Sequence, residues 1–222
     1  AEISLTNNDF LPLRIDGDMN LLPMEHVMQK ASAQVKSALM LSALNIRGKT
    51  IIIEKRNTRD HTERLMNFLK IKFKKKILNK KSTAIELNGP YEIKPKNITV
   101  ANDPSSAAFF IVGALIIPNS NITLKNISLN KTRIAFIDVL RKMGGKIKIK
   151  KTKTLSGEDV GEIRVSHSSL NGVKINAAMS PYLIDEYPIL SIAASQARGI
   201  TIMRGLAELR HKESDRIKSI TT

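Results

Sequence analysis

Residues Ser105–Ile117 read SSAAFFIVGALII and are followed at Asn121–Leu124 by NITL. The first run is almost wholly apolar or small, the composition of a helix buried on most sides. The second alternates polar and apolar, as a half-buried strand does. The same succession occurs twice more. Ser32–Leu44 (SAQVKSALMLSAL) leads through Gly48 to TIII at Thr50–Ile53, and Leu183–Gln196 (LIDEYPILSIAASQ) leads through Gly199 to ITIM. Each strand precedes a basic loop and an amphipathic helix. Arg56 and Arg59 stand before HTERLMNFL, and Lys131 and Arg133 before a helix with Phe136, Val139, Leu140 and Met143 at helical spacing. The third such stretch is LRHKESDRI at Leu209–Ile217. Alternating KIKFK (Lys70–Lys74) and KIKIK (Lys146–Lys150) follow the first two helices and predict strands. Gly48, Asn119 and Gly199 stand where helix turns into strand. The repeat is roughly 70–80 residues long, longer than a solenoid unit, and predicts a pseudo-symmetric α/β structure with helices packed inside.

Composition narrows the chemistry. The 222 residues are 42% hydrophobic, enough for a core, and contain no cysteine, which excludes disulfides and thiolate metal sites. Four histidines without HxxxH spacing argue against zinc. No apolar run is long enough to span a membrane and no signal peptide opens the chain, so a cytoplasmic location is expected. The net charge of +16 would attract nucleic acid, anionic lipid or phosphorylated small molecules. Only 4% of residues are aromatic and none is Trp, too few for base-stacking platforms, and nucleic-acid binding is not expected. Neither end reads as a domain end. Ala1 is not a start methionine, Thr222 falls inside an amphipathic helix, and a fragment is expected.

The basic residues recur just before, or inside, the first turn of a helix. That end already carries partial positive charge, so cations there are unfavourable unless an anion joins them. On a helix, Lys212 and Arg216 would form an i,i+4 like-charge pair. Two meanings stay open: Glu213 and Asp215 neutralise these cations locally, or the cations await an anionic ligand. Asp185 and Glu186 interrupt an apolar segment and are equally two-sided. A half-buried carboxylate there suits proton transfer, while an acid ahead of Pro188 also suits a helix start. Ser32 is an N-cap candidate for the helix that follows it.

Taken in order, ASAQVKSALMLSAL, TRDHTERLMNFL, NDPSSAAFFIVGAL, MSPYLIDEYPIL and GLAELRHKESDRI resemble the EPSP synthase (3-phosphoshikimate 1-carboxyvinyltransferase) family. ASAQVKSA with TRDHTER resembles most the bacterial class that includes glyphosate-tolerant members. The resemblance covers the whole chain and maps to the middle half of the family's length. It implies an α/β fold of two lobes built from repeated βαβαββ units, an inside-out α/β barrel that is partial in this chain. Residues 1–99 would belong to one lobe and 100–222 to the other, the crossing lying near Pro95–Asp103.

The resemblance also implies transfer of the enolpyruvyl group of phosphoenolpyruvate to the 5-hydroxyl of shikimate 3-phosphate, without a cofactor, by a monomer when full length. Ser32, Ala33 and Gln34 would hold shikimate 3-phosphate, with Gln34 reaching phosphoenolpyruvate. Arg59 would bind at or near the shikimate phosphate, and Asp185 would accept the 5-hydroxyl proton. Lys212 would contact shikimate 3-phosphate, Glu213 would move a proton at the vinyl carbon, and Arg216 would bind phosphoenolpyruvate. The family's Lys-Ser…Arg motif, glycine loop and an upstream arginine would precede residue 1. A further arginine and lysine would follow residue 222, so the chain alone is expected to be inactive. Two rival readings are an enolpyruvyl transferase acting on UDP-N-acetylglucosamine, which shares the fold, and a basic nucleic-acid-binding module.

Overall fold

The computed structural model describes residues 2–6, 10–17, 20–79 and 82–221. Contacts divide the chain into two compact units, Ala1–Asn57 with Lys70–Lys94, and Thr58–Leu69 with Pro95–Thr222.

The first unit opens with an antiparallel hairpin, β1 (Glu2–Thr6) and β2 (Phe10–Asp16). The strand β3 (Glu25–Met28), helix α1 (Ala33–Ala43) and strand β4 (Gly48–Glu54) follow, and β3 and β4 pair in parallel. After helix α2 (His61–Phe68), which belongs to the second unit, the chain adds β5 (Phe73–Ile77) and β6 (Thr83–Gly89). The sheet order is β3-β4-β6-β5, with β6 antiparallel to both neighbours. Ile52 and Ile85 oppose each other in register and are wholly buried, with Leu87 and the α1 residue Met40 in the same core. Alternation puts these apolar side chains on the face that α1 covers.

The second unit continues with α3 (Pro104–Ile116), β7 (Asn121–Ser128), α4 (Ala135–Lys142), β8 (Lys146–Leu155) and β9 (Glu158–Ser166). Its sheet order is β7-β9-β8, all antiparallel, and Asn102 adds one parallel bridge to Ile127 of β7. Then come β10 (Lys174–Ile175), α5 (Ser180–Leu183), α6 (Tyr187–Ser195), β11 (Ile202–Met203) and α7 (Arg216–Thr221), with β10 parallel to β11. Ile111, Leu115, Phe136, Leu140, Ile163, Leu183, Leu190 and Leu209 form its core. The order strand–helix–strand–helix–strand–strand thus appears over β3 to β6, again from the Asn102 bridge to β9, and starts a third time at β10.

Several details differ from the sequence reading. The strand expected at 70–74 starts at Phe73, because Lys70 has a positive φ that ends the preceding helix and Ile71 plugs the core. The run from Leu183 to Gln196 is not one helix but α5 and α6 with a break at 184–186. The apolar helices are not buried on most sides: α3 leaves Phe109 and Phe110, and α1 leaves Val35 and Leu41, more than 45% exposed. Residues 58–69, placed with the first 99 in the sequence division, pack with the second unit. The three expected turns are present, with positive φ at Gly48, Asn119 and Gly199.

Candidate substrate site

The break between α5 and α6 sets the site. Pro188 lacks an N–H and fits only the first turn of a helix, so α6 begins at Tyr187 and the chain turns just before it. The three residues in that turn send their side chains to three places. Ile184 joins the core. The Asp185 carboxylate meets Arg59 Nη2 at 2.5 Å through Oδ2 and Arg216 Nη1 at 3.4 Å through Oδ1. The Glu186 carboxylate turns inward and accepts the Ser105 hydroxyl at 2.5 Å. Burial alone would raise the Asp185 carboxyl. The hydrogen bond and charge of Arg59, the charge of Lys212 and the bond from Arg216 outweigh it and hold Asp185 below the ordinary Asp range. Burial pushes Glu186 above the ordinary Glu range; the Ser105 bond opposes this and the nearby Asp185 charge adds to it.

The residues that follow Arg59 are anchored at the start of α2. Asp60 at the helix start accepts from Arg64 Nε at 2.9 Å and from the buried Asn130 Nδ2 at 2.8 Å. His61 Nδ1 lies 2.6 Å from Glu158 Oε1, at the turn between β8 and β9. That turn contains Gly157 with φ +91, and a Cβ there would sit 2.7 Å from the Arg64 carbonyl oxygen. Only glycine allows both the conformation and this close approach. Burial would raise Asp60, but the bonds from Arg64 and Asn130 prevail and keep it below the usual carboxylate range.

The LRHKESDRI stretch does not form the helical pair that its spacing predicts. Ala207–His211 is a 3₁₀ turn, Lys212 is extended, and α7 starts only at Arg216. Lys212 therefore lies in the loop and not one helical turn from Arg216. Asp215 accepts Arg210 Nη1 at 2.9 Å and the Lys218 N–H at 3.0 Å, so it neutralises a cation and caps α7. The Arg216 guanidinium makes a two-toothed contact with Glu213, at 2.9 and 3.0 Å. The hydrogen bond from Arg216 holds the exposed Glu213 carboxyl below the usual Glu range.

These groups share an open cavity of about 580 Å³ lined by Ser105, Phe109, Arg133, Asp185, Glu213 and Arg216, among others. Two guanidinium groups and two carboxylates with an apolar wall can take a small anionic molecule and move a proton on it. The structure brings Arg59, Asp185, Glu213 and Arg216 together, with the Lys212 charge reaching both carboxylates. Ser32, Ala33 and Gln34 form a separate group in the first unit, at the start of α1. Ser32 caps that helix, its Oγ accepting the Val35 N–H at 3.3 Å, and the first helical N–H groups have no partner inside the helix. Such a helix start suits a phosphate.

The family model for EPSP synthase (3-phosphoshikimate 1-carboxyvinyltransferase) matches residues 1–222. The chain belongs to the EPSP synthase family. It is 42% identical over 220 residues to the 3-phosphoshikimate 1-carboxyvinyltransferase of Novosphingobium aromaticivorans, covering 99% of this chain and 50% of that protein. It is 44% identical over 215 residues to the enzyme of the same name from Petrotoga mobilis, covering 97% and 49%. Among solved structures, EPSP synthase from Acinetobacter baumannii superposes with a TM-score of 0.84 at 36% identity, over 99% of this chain and 49% of that one. The enolpyruvyl transferase NikO from Streptomyces tendae shares the fold, with a TM-score of 0.64 at 16% identity. The chain has an α/β fold of the EPSP synthase kind and spans about half the length of the curated relatives it matches. Among the described residues no helix is long and apolar enough to cross a membrane.

Sequence reading had no reason to single out Ser105 for this site, it raised Glu186 only as the neighbour of Asp185, and it placed Arg133 only as a loop cation. Arg133 Nη2 donates to Asp103 Oδ1 at 2.7 Å and to Ser105 Oγ at 2.8 Å. Ser105 and Glu186 are 81 residues apart in the chain, and periodicity carries no signal for such a contact.

Proposed function

We propose that this chain carries much of the site for transferring the enolpyruvyl group of phosphoenolpyruvate to the 5-hydroxyl of shikimate 3-phosphate, in an enzyme of the relatives' length. The observation that carries the reading is Asp185, a carboxylate on the cavity wall between the guanidinium groups of Arg59 and Arg216. Both cations are only partly buried, so an anionic substrate can compete for them.

In the reaction Asp185 takes the proton of the 5-hydroxyl as that oxygen bonds to C2 of phosphoenolpyruvate. C3 gains a proton, a role assigned to Glu213. A C3 proton then returns to Glu213 as the C2–O bond to phosphate breaks, which restores the C2=C3 double bond and releases inorganic phosphate. Arg216 takes the phosphoenolpyruvate anion from Glu213, freeing that carboxylate for its proton step. Lys212 and Arg59 are assigned to shikimate 3-phosphate. In the first unit Ser32, the Ala33 backbone and Gln34 are assigned to it as well, with Gln34 also reaching phosphoenolpyruvate. No cofactor is required by this scheme. The relatives' names favour shikimate 3-phosphate over a UDP-sugar acceptor.

The test is phosphate release that depends on shikimate 3-phosphate, measured for this chain alone and for a chain extended to the relatives' length. The extended chain should turn over and the 222-residue chain should not, because the constellation must be whole for positioning and charge stabilisation. Release by the short chain would sink the view that the site is incomplete. No release by the extended chain would sink the substrate assignment.

A further inference from the structure

Glu186 stands one residue from Asp185 and is 1% exposed. It occupies the N-cap position of α6 without capping the helix. Its Oε1 accepts the Ser105 hydroxyl at 2.5 Å. Ser105 Oγ in turn accepts Arg133 Nη2 at 2.8 Å, and the same nitrogen donates to Asp103. One chain of bonds thus ties the start of α6 to the start of α3 and to the loop before α4. A leucine could join these helices without burying a charge, and a buried carboxylate is unfavourable unless its partners compensate it.

The substrate contacts proposed above do not use Glu186, but the base they assign has a difficulty. Asp185 faces Arg59, Arg216 and Lys212, and neighbouring cations make a carboxylate a weaker proton acceptor. The other carboxylate lining this cavity, Glu213, is held by Arg216, and the cavity cation Arg133 is bonded to Asp103. The charged groups that bear on Glu186 are Asp185, Arg133 and Arg59. We propose that Glu186 is a positioning residue for Asp185: fixed by Ser105 and Arg133, its buried carboxylate sets the turn that aims Asp185 at the cavity and places a second negative charge beside it, so that the base accepts a proton among three cations. This rests on Asp185 being the base of the transfer reaction.

The test starts with carboxyl-carbon NMR titrations of the 222-residue chain as wild type, Glu186→Gln and Ser105→Ala. In wild type the Asp185 carbon should report two steps, its own and a smaller one at the Glu186 midpoint. In Glu186→Gln, which keeps shape and can still accept the Ser105 hydroxyl, the smaller step should vanish. The main Asp185 step should stay in place, because Glu186, raised by burial, is already protonated when Asp185 titrates. Ser105→Ala should raise the Glu186 midpoint, since its hydrogen bond is lost. In a chain of the relatives' length, kcat should begin to fall at the Glu186 midpoint, and Glu186→Gln should abolish that step. A single-step Asp185 titration in wild type would overturn the proposal, and this arm needs no variant to fold. So would a kcat profile left unchanged by Glu186→Gln while Asp185→Asn is inactive. Full turnover by Asp185→Asn would instead overturn the base assignment itself.

Discussion

Two of the ion-paired carboxylates in this molecule stand in opposite settings. In the first unit Glu54 meets Lys36 at 3.3 Å with both side chains no more than 2% exposed. In the second, Asp185 meets Arg59 and Arg216 with all three between 21% and 30% exposed. The first pair is sealed between α1 and β4, so nothing from solvent can take either partner. The second stands on a cavity wall, where water weakens each contact and leaves the cations exchangeable. Burial, more than charge or distance, separates an ion pair that holds a fold from one that can serve a ligand. The lysine lies in ASAQVKSA, a stretch also read for substrate residues, and only the structure shows that Ser32 and Lys36 have different duties.

The largest effect expected tests the exposed pair. Asp185→Asn, in a chain of the relatives' length, keeps shape and removes the base, and kcat should fall by about 10²–10⁴-fold or more while shikimate 3-phosphate still binds. Glu186→Gln should lower kcat much less. If the two results are reversed, the role belongs to Glu186. The sealed pair should respond in stability alone. Lys36→Ala leaves a buried carboxylate without its cation and should destabilise the chain by about 3–5 kcal/mol in denaturant unfolding. Replacing Lys36 with Met and Glu54 with Leu together should recover most of that loss. A loss below about 1 kcal/mol for Lys36→Ala would mean the pair is solvated, and the contrast would fail. Lys212→Met comes next. Lys212 is a loop cation outside α7, so its removal should leave the melting temperature unchanged and reduce kcat/KM by an amount equivalent to about 1.5–3 kcal/mol. A large fall in melting temperature with intact kinetics would make it a structural cation.

What the sequence made legible follows from distance along the chain. The three helix–strand repeats, the turns at Gly48, Asn119 and Gly199, the Ser32 cap and Asp215 as a structural partner of nearby cations are all local, and spacing speaks directly to local geometry. Pro188 starts a new helix with Glu186 at its N-cap, one of the two readings left open there, and breaks the apolar run at Asp185. One local reading failed: Lys212 stays extended before α7. The rest was out of reach because it joins distant residues: Arg59 with Asp185 across 126 positions, and Ser105 with Glu186 across 81. Arg133 was visible as a cation before a helix, but its anchors at Asp103 and Ser105 come from the preceding α3. The division of the chain was also not local, since α2 belongs by sequence to the first repeat and by packing to the second unit.

The smallest effect tests whether the Arg59–Asp185 contact exists in the chain without ligand, and pH is the lever. Asp185 is held below its ordinary value in the folded state, after burial is offset by Arg59, Lys212 and Arg216. A group depressed in this way contributes stability that is fully present above its unfolded pKa and is lost as pH falls through its folded pKa. Glu186 has the opposite sign: burial raises it, so protonating it as pH falls through its raised value favours the folded state. Stability should therefore change little, or rise slightly, as pH first drops from neutrality, and should then fall below about pH 4. Asp60 and Asp103 are also depressed and steepen that fall, so the wild-type curve alone does not isolate Asp185. The comparison with Arg59→Ala does, because that variant removes the closest cation from Asp185 and leaves Asp60 with Arg64 and Asn130, and Asp103 with Arg133. Urea midpoints between about pH 5 and pH 3 should converge for the two proteins as pH falls, with the variant less stable at the upper end. Parallel curves would show that Asp185 does not hold Arg59 in solution, and the second of the two ion pairs compared here would dissolve.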